Sequence, residues 1–223
     1  MERKEICNGG VRISYIKSGT GHPIILLHGN GEDHSIYSEI TEELSNDGFC
    51  VFAIDTRGHG MSGAADRLRY EDMAEDVMCV IRNEKMERPT LFGFSDGGIT
   101  GLLLSMRYPD ALGRLIVAGV NLSPEGLTKR TRTAVRFGFF FTRSDKLRLM
   151  LTQPNIAKEQ LSSVDVPVTV FHAENDMVKL SDSQAVAENV KNGKLVFVKD
   201  ETHDSYVMDN RKLLRLLREH VLK

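Results

Sequence analysis

The sequence lacks the features that mark a nucleic-acid-binding, disulfide-stabilised or membrane-spanning protein. Its 29 Lys and Arg residues against 31 Asp and Glu give a formal net charge of −2, whereas a nucleic-acid-binding domain carries a basic excess. The three cysteines are odd in number and far apart, so they fit neither a disulfide framework nor a zinc motif. No apolar run approaches the roughly 18 residues that span a bilayer, and the first residues show no secretory signal. We therefore expect a cytoplasmic chain with no nucleic-acid and no membrane partner, and its oligomeric state stays open.

Apolar runs and amphipathic stretches alternate along most of the chain. Asn8-Gly9-Gly10 predicts a hairpin turn within residues 4–17, and buried strands are predicted at 22–29, 49–55, 89–94, 112–120, 166–173 and 194–200. Amphipathic helices are predicted at 35–48, 70–85, 96–109, 181–193 and 210–223. This alternation predicts a three-layer α/β sandwich, with a mostly parallel sheet and an antiparallel N-terminal edge. Residues 121–163 are helical in pattern without a strand, so we expect a core of 1–120 and 164–223 and a short helical cap at 121–163.

Residues 93–97, Gly-Phe-Ser-Asp-Gly, lie between a predicted strand and a predicted helix. The glycines could serve only to allow backbone angles that other residues avoid. The pattern also fits G-x-S-x-G, in which a sharp strand-to-helix turn exposes a serine hydroxyl as a nucleophile. The strand before and the helix after favour the second interpretation, with Ser95 as the nucleophile.

A serine nucleophile needs a general base, and the base needs an orienting acid. The expected chain order is serine, acid, histidine, and Asp176 and His203 follow the next two predicted strands in that order. Glu174 is the main alternative acid and Asp204 a weaker one. Each of these residues could also be an ordinary loop residue, but active sites of open α/β sheets collect at the carboxyl ends of strands.

The loop His28-Gly29-Asn30-Gly31 follows the strand at 22–29 and is the expected source of one oxyanion-hole amide. We assign the two backbone donors to Asn30, with Gly31 as the alternative, and to Asp96. We expect Asp96, Phe94 and Gly29 to contact a small-molecule substrate. The sequence indicates no metal site and no cofactor.

These motifs together resemble the α/β-hydrolase fold family, in particular biphenyl-hydrolase-like enzymes, meta-cleavage-product hydrolases and haloperoxidase-like esterases. The matching segments are 28–31, 55–62, 93–98, 173–178 and 202–205, with Ala173 and Thr202 in place of common glycines. The Ser-Asp-Gly-Gly run at 95–98 resembles that of biphenyl-hydrolase-like enzymes that cleave amino esters, in which the acidic residue faces the substrate amine. By that resemblance Asp96 would bind a substrate ammonium, and alternatively it would cap the helix that begins there.

The cap differs in charge from the remainder of the chain. Residues 121–163 carry eight basic and three acidic residues, so the remainder carries a net charge of −7. The basic residues could attract an anionic substrate or could lie on a solvated helix face. We expect the aromatic run 137–141 to line an acyl pocket or to pack the cap on the core.

These observations predict a serine hydrolase, carboxylesterase-like, that cleaves a small ester or thioester through a Ser-His-Asp catalytic triad and an acyl-enzyme. The same triad would serve a carbon–carbon bond hydrolase of the meta-cleavage type, and a non-catalytic ligand receptor could use the same fold.

Overall fold

A computed structural model describes residues 1–220 as one eight-stranded sheet flanked by helices. The sheet order is β1-β2-β4-β3-β5-β6-β7-β8. The strands are β1 (Glu2–Asn8), β2 (Val11–Ser18), β3 (His22–Leu27), β4 (Phe49–Ile54), β5 (Thr90–Phe94), β6 (Arg114–Ala118), β7 (Val168–Asn175) and β8 (Gly193–Thr202). β1 pairs antiparallel with β2 and β2 with β4, whereas β4, β3 and all later strands pair in parallel. The mostly parallel sheet with an antiparallel N-terminal edge is the one that the sequence predicts.

Helices cover both faces of the sheet and form the outer two layers. They are α1 (Ser38–Asn46), α2 (Tyr70–Asn83), α3 (Asp96–Arg107), α4 (Lys129–Thr142), α5 (Asp145–Thr152), α6 (Leu180–Asn189), α7 (Ser205–Met208) and α8 (Asn210–His220). Side chains of α1, α7 and α8 pack with one face of the sheet, and side chains of α2, α3 and α6 pack with the other. Adjacent residues of β3 divide between the two clusters because successive strand side chains point to opposite faces. Residues 221–223 of the last predicted helix lie outside the described range.

The parallel strands place their carboxyl ends at one edge of the sheet, where the candidate site residues collect. β3 leads into the loop with Asn30, β5 into Ser95, β7 into the turn at Asp176, and β8 ends just before His203. None of the helices in the described range is long and apolar enough to cross a membrane.

Residues 121–163 form α4, α5 and two short 3-10 helices, at Pro124–Gly126 and Lys158–Ser163. Their aromatic run does not pack as expected. Phe137, Phe140 and Phe141 are exposed, because α4 buries only Val135 and turns its phenylalanine face outward. The expectation that the run 137–141 as a whole lines an acyl pocket or packs on the core is therefore wrong.

Candidate active site

Ser95 lies at the tip of a sharp turn between β5 and α3, with φ 52° and ψ −114°. A non-glycine residue at positive φ is strained by roughly 1–3 kcal/mol and persists only where its surroundings hold it. Here the Ser95 N–H donates to the Ala118 carbonyl at 2.8 Å, and the Ser95 carbonyl accepts from the Ile99 N–H at 3.0 Å. The turn is therefore held from the neighbouring strand and from the helix.

The glycines around Ser95 allow backbone segments to approach that side chains would keep apart. A Cβ on Gly93 would lie 2.3 Å from the Gly97 carbonyl oxygen, and a Cβ on Gly97 would lie 2.4 Å from the Leu27 carbonyl oxygen. Both are shorter than real contacts, so neither position tolerates even alanine without a backbone shift. The glycines thus bring α3 close to β3 and β5, as the G-x-S-x-G pattern requires.

His203 lies between Ser95 and Asp176. Its Nε2 is 3.2 Å from the Ser95 hydroxyl, and its Nδ1 is 2.6 Å from Asp176 Oδ1. Ser95 and His203 are 108 residues apart in sequence, and the parallel sheet brings them together at one edge. The arrangement can transfer a proton from the serine hydroxyl to the imidazole while a carboxylate supports the charge that forms.

The two alternative acids have other partners. Glu174 is exposed, and its carboxylate accepts from the Asp200 N–H at 2.8 Å. Asp204 is also exposed and accepts from the Thr202 hydroxyl at 3.0 Å. Among the three candidate carboxylates, the one that contacts His203 is Asp176.

The Asp176 carboxylate is fully buried. Burial by itself would raise its pKa, but the hydrogen bond with His203 and the bond from the Val178 N–H outweigh this and lower the pKa. His172 lies on the other side, 3.9 Å from Asp176 Oδ2, and burial lowers its pKa, so its ring favours the neutral form. Asp176 is thus held as an anion whose shortest contact is with His203.

Packing also holds the His203 ring in place. The Phe94 ring, which is buried, lies 5.0 Å from the His203 ring between centroids. On another side, a Cβ on Gly119 would lie 2.5 Å from His203 Cε1. Gly119 has φ +62° and directly follows β6. Sequence reasoning missed Gly119, because the predicted strand 112–120 included it, whereas β6 ends at Ala118.

Asn30 and Asp96, the two predicted oxyanion donors, contact each other. Asn30 Nδ2 donates to Asp96 Oδ2 at 2.8 Å and to the Lys146 carbonyl at 3.2 Å. The backbone N–H groups of Asn30 and Asp96 donate to no acceptor within residues 1–220, and neither does that of Gly31, the alternative donor. By contrast, the Gly29 N–H is occupied by the Glu32 carboxylate at 2.8 Å. Two free amides beside the nucleophile are what an oxyanion requires.

The Asp96 carboxylate is buried and hydrogen-bonded to side chains. The Tyr70 hydroxyl donates to its Oδ1 at 2.7 Å, and Asn30 donates to its Oδ2. Asp96 is the first residue of α3, and no side-chain cap bond is made at this helix start. The alternative that Asp96 caps the helix is therefore wrong, because its oxygens point to Tyr70 and Asn30. Burial raises the pKa of Asp96, and these two hydrogen bonds offset part of the rise.

Glu32 and Tyr70 belong to this site although sequence reasoning did not assign them. Burial raises the pKa of Glu32, whose carboxylate interacts with the charges of His203 and Asp96. Glu32 lies two residues after Asn30 in the loop that follows β3, so its position at a strand end was a usable signal. Tyr70 begins α2, and nothing in its local sequence indicates a contact with Asp96.

A group of possible metal ligands lies in neighbouring loops, at Asp33, His34 and Asp55, with ligand atoms within 4.8 Å of one another. Asp55 Oδ1 accepts from the backbone N–H and Nδ1 of His34 at 2.8 Å, and Oδ2 accepts from the Met61 N–H at 2.8 Å. These bonds join the loops after β3 and β4, so the cluster has a structural role in holding the two loops together.

Comparison with known proteins identifies relatives of this chain. The family model described as alpha/beta hydrolase fold matches residues 22–145, more than half of the chain. Among curated proteins, the human serine hydrolase BPHL is 26% identical over 91% of this chain and 80% of its own length. The AB hydrolase superfamily protein YisY of Bacillus subtilis is 25% identical over 89% of this chain and 91% of its own.

Solved structures match nearly the whole chain at low identity. One described as Est816, an N-acyl homoserine lactone degrading enzyme, has a TM-score of 0.83 at 23% identity and covers 98% of this chain and 100% of its own. The enol-lactonase from Burkholderia xenovorans has a TM-score of 0.81 at 19% identity and covers 99% and 100%. These neighbours establish the shared fold, and the family match goes further: the chain is a hydrolase that belongs to the alpha/beta hydrolase fold family.

Proposed function

We propose that this hydrolase cleaves a small ester or thioester, with Ser95 as the nucleophile, His203 as the general base and Asp176 as the residue that orients His203. The observation that carries the proposal is the chain of contacts from the Ser95 hydroxyl through His203 to buried Asp176. The strained turn at Ser95 supports it, because it holds the hydroxyl at the tip of the elbow.

The reaction follows from these contacts. His203 Nε2 takes the hydroxyl proton as Ser95 Oγ bonds to the substrate carbonyl carbon, and the backbone N–H groups of Asn30 and Asp96 bind the oxyanion. The carbonyl re-forms, the bond to the leaving group breaks, and His203 returns the proton to the departing alcohol or thiol. Water then attacks the acyl-enzyme with His203 again as the base, and the acid product leaves with Ser95 restored. No cofactor takes part in any of these steps.

The human relative named serine hydrolase BPHL supports a nucleophilic serine. A fluorophosphonate probe tests this because it labels only an activated serine. We expect wild-type protein to be labelled and to hydrolyse chromogenic esters, and Ser95→Ala to lose the label and at least about 10⁴-fold in turnover. Esterase activity within tenfold of wild type in Ser95→Ala would refute the assignment. Absence of labelling in the wild type would argue against an activated serine, and labelling without ester turnover would favour the carbon–carbon bond hydrolase.

We further propose that Asp96, Phe94 and Gly29 line the substrate position and that the Asp96 carboxylate favours substrates with an ammonium group. Both Asp96 oxygens accept from uncharged donors, so the described residues place no cation on the carboxylate. A charge-assisted contact in such a site contributes about 1.5–3 kcal/mol.

Asp96→Asn tests this preference. Because Asp96 also holds Asn30, we expect some loss of kcat/KM for neutral esters as well. The informative quantity is therefore the ratio of kcat/KM between an amino-acid ester and a neutral ester of equal length. We expect the ratio to fall about tenfold to a hundredfold in Asp96→Asn. An unchanged ratio would leave Asp96 as a positioning residue for the oxyanion loop only.

A further inference from the structure

Helix α4 presents an apolar face that no side chain among residues 1–220 covers. Phe137, Phe140 and Phe141 are 65–67% exposed, and of the 14 residues of the helix only Val135 is buried. The Phe141 ring lies 4.7 Å from that of Phe137 and 5.2 Å from that of Phe140, so the three form one continuous cluster. Three phenylalanines exposed to this degree offer roughly 400 Å² of apolar surface, a size of patch that is often functional.

The same helix is basic. It carries Lys129, Arg130, Arg132 and Arg136 and no acidic residue. Within the described part of the chain, Arg132 is the one of these four residues that forms an ion pair, with Glu125 at 3.4 Å. Just after the helix, the Arg143 guanidinium lies 5.6 Å from the centre of the Phe140 ring. Cations thus border the aromatic cluster at both ends.

We propose that α4 docks this protein on the surface of an anionic lipid bilayer. An amphipathic helix with aromatic residues on one face and Lys and Arg beside them lies in the membrane interface, where rings enter the acyl boundary and cations meet lipid phosphates. Arg130, Phe137 and Phe141 are spaced at seven and four residues, which places them on one side of the helix. The phenylalanine rings supply apolar contact with the bilayer, and the cations supply selectivity for anionic lipid.

Charge and area favour lipid over a second copy of this chain as the occupant. A two-fold interface would pair α4 with α4 and bring the basic residues of both copies together. The cluster is also only about half of the roughly 800 Å² that each partner buries in a stable protein interface. An anionic bilayer complements the charge and needs no further protein surface.

The docking face is attached to the candidate active site. The Thr128 N–H, at the start of α4, donates to the carbonyl of Met177, the residue after Asp176. The Lys146 carbonyl, five residues after Phe141, accepts from the Asn30 side chain. Docking would therefore hold the site close to the lipid surface. The sequence predicts no membrane partner because it lacks a spanning segment, whereas docking through α4 needs no such segment. Docking also does not depend on the proposed reaction.

Co-sedimentation of the full chain with vesicles tests the proposal. We expect binding to phosphatidylcholine vesicles that contain phosphatidylserine, at least tenfold weaker binding to phosphatidylcholine alone, and release as salt rises to about 0.5 M. Phe137→Ser, Phe140→Ser and Phe141→Ser together should reduce binding at least tenfold. The matched control is Phe197→Ser, since Phe197 is 51% exposed on β8, outside the cluster, and this variant should bind like the wild type.

Unchanged vesicle binding by the triple variant, or no binding by the wild type to anionic vesicles at low salt, would overturn the proposal. A dimer detected by sedimentation equilibrium that the triple variant abolishes, without vesicle binding, would identify a second copy as the occupant and would also overturn it. The triple variant should keep the thermal midpoint of the wild type and its fluorophosphonate labelling, which separates loss of docking from misfolding and from failure of the proposed reaction.

Discussion

At the scale of single residues, the orientation of His203 depends on one carboxylate. Asp176 is buried and bonded to His203 Nδ1, whereas Glu174, two residues earlier, is exposed and bonded to the Asp200 N–H. We expect Asp176→Asn to lower kcat about 10⁴-fold, because the amide favours the wrong imidazole tautomer. Glu174→Gln is the matched control and should change kcat less than twofold. Steady-state kinetics on a chromogenic ester measures both, and the reverse pattern would move the acid to Glu174.

Gly119 is a second residue on which the position of His203 depends. Gly119→Ala adds a methyl group 2.5 Å from His203 Cε1, at φ +62°. We expect kcat to fall on the order of a hundredfold, because a displacement of about 1 Å misplaces the base. Gly9→Ala is the control for the backbone strain alone, since Gly9 has φ +56° with nothing within 4 Å of an added Cβ.

Gly9→Ala should lose about 1 kcal/mol in the free energy of unfolding, and Gly119→Ala should lose at least as much because its methyl group also meets His203. Only Gly119→Ala should lose activity. Urea unfolding and ester kinetics on the same preparations separate the two effects. An equal loss of activity in both variants would contradict the proposed contact with His203.

At the scale of elements, one buried ion pair joins the antiparallel edge of the sheet to helix α2. The Arg57 guanidinium, after β4, donates to both oxygens of Asp76 in α2, at 2.6 and 2.7 Å. The Asn8 side chain at the β1–β2 turn donates to the same carboxylate at 2.8 Å. Asp76 is buried. Removal of the Arg57 guanidinium would therefore leave the Asp76 carboxylate with Asn8 as its remaining hydrogen-bond donor.

We expect Arg57→Met to lower the free energy of unfolding by about 3 kcal/mol, because an unpaired buried charge is costly. Arg69→Met is the control: Arg69 pairs with Glu71 at 3.8 Å on the surface, and its loss should cost less than about 1 kcal/mol. Urea unfolding at neutral pH measures both variants. Similar costs would mean that the Asp76 carboxylate is solvated or protonated in the folded protein.

The sequence predicts which helices and strands form, but not where each of them begins and ends. The predicted strand 166–173 is displaced to Val168–Asn175, because Asn175 pairs with Thr202 of β8 past an irregularity in the register. The predicted helix 35–48 begins as a 3-10 turn at His34–Tyr37, where the Asp33 side chain accepts from the Ser35 N–H, and becomes α-helical only at Ser38. Apolar spacing predicts an element and its type, whereas pairing and capping decide its ends.

At the scale of the whole molecule, the buried Asp96 carboxylate connects the candidate site with the pH dependence of stability. Burial raises the pKa of Asp96 above the ordinary value of 3.8, so the folded state holds this proton more tightly than the unfolded state. Its contribution favours folding below about pH 3.8 and is lost as the pH rises through the raised pKa. Asp176 behaves in the opposite sense, because its pKa is lowered.

Asn at position 96 does not titrate. We therefore expect the free energy of unfolding of the wild type, relative to Asp96→Asn, to fall as the pH rises from about 3.8 through the raised pKa, by roughly 1.4 kcal/mol for each pH unit by which the pKa is raised. Urea unfolding at several pH values measures this difference. The contribution of Asp176 is the same in both proteins and cancels. A difference independent of pH would mean that Asp96 has an ordinary pKa.

The sequence by itself determined the fold class and the candidate nucleophile and base, and it left the acid open among Asp176, Glu174 and Asp204. Continuous apolar runs and their alternation with amphipathic helices are local patterns, and the order of Ser95, Asp176 and His203 at strand ends follows from them. Parallel strands predict that these three candidate residues lie close together, because the carboxyl ends of the strands meet at one edge of the sheet.

The tertiary structure alone decided which side chains surround these candidate residues and which face of α4 stays exposed. Tyr70 and Asp96 are 26 residues apart, and nothing in either segment indicates their hydrogen bond. The separation of Asp176 from Glu174 depends on the turn after β7, which buries one carboxylate and exposes the other. Likewise, the apolar composition of residues 137–141 predicts burial. Helix α4 buries Val135 instead, and its phenylalanine face is exposed. Such contacts depend on how elements pack, and no local sequence pattern indicates how distant segments pack together.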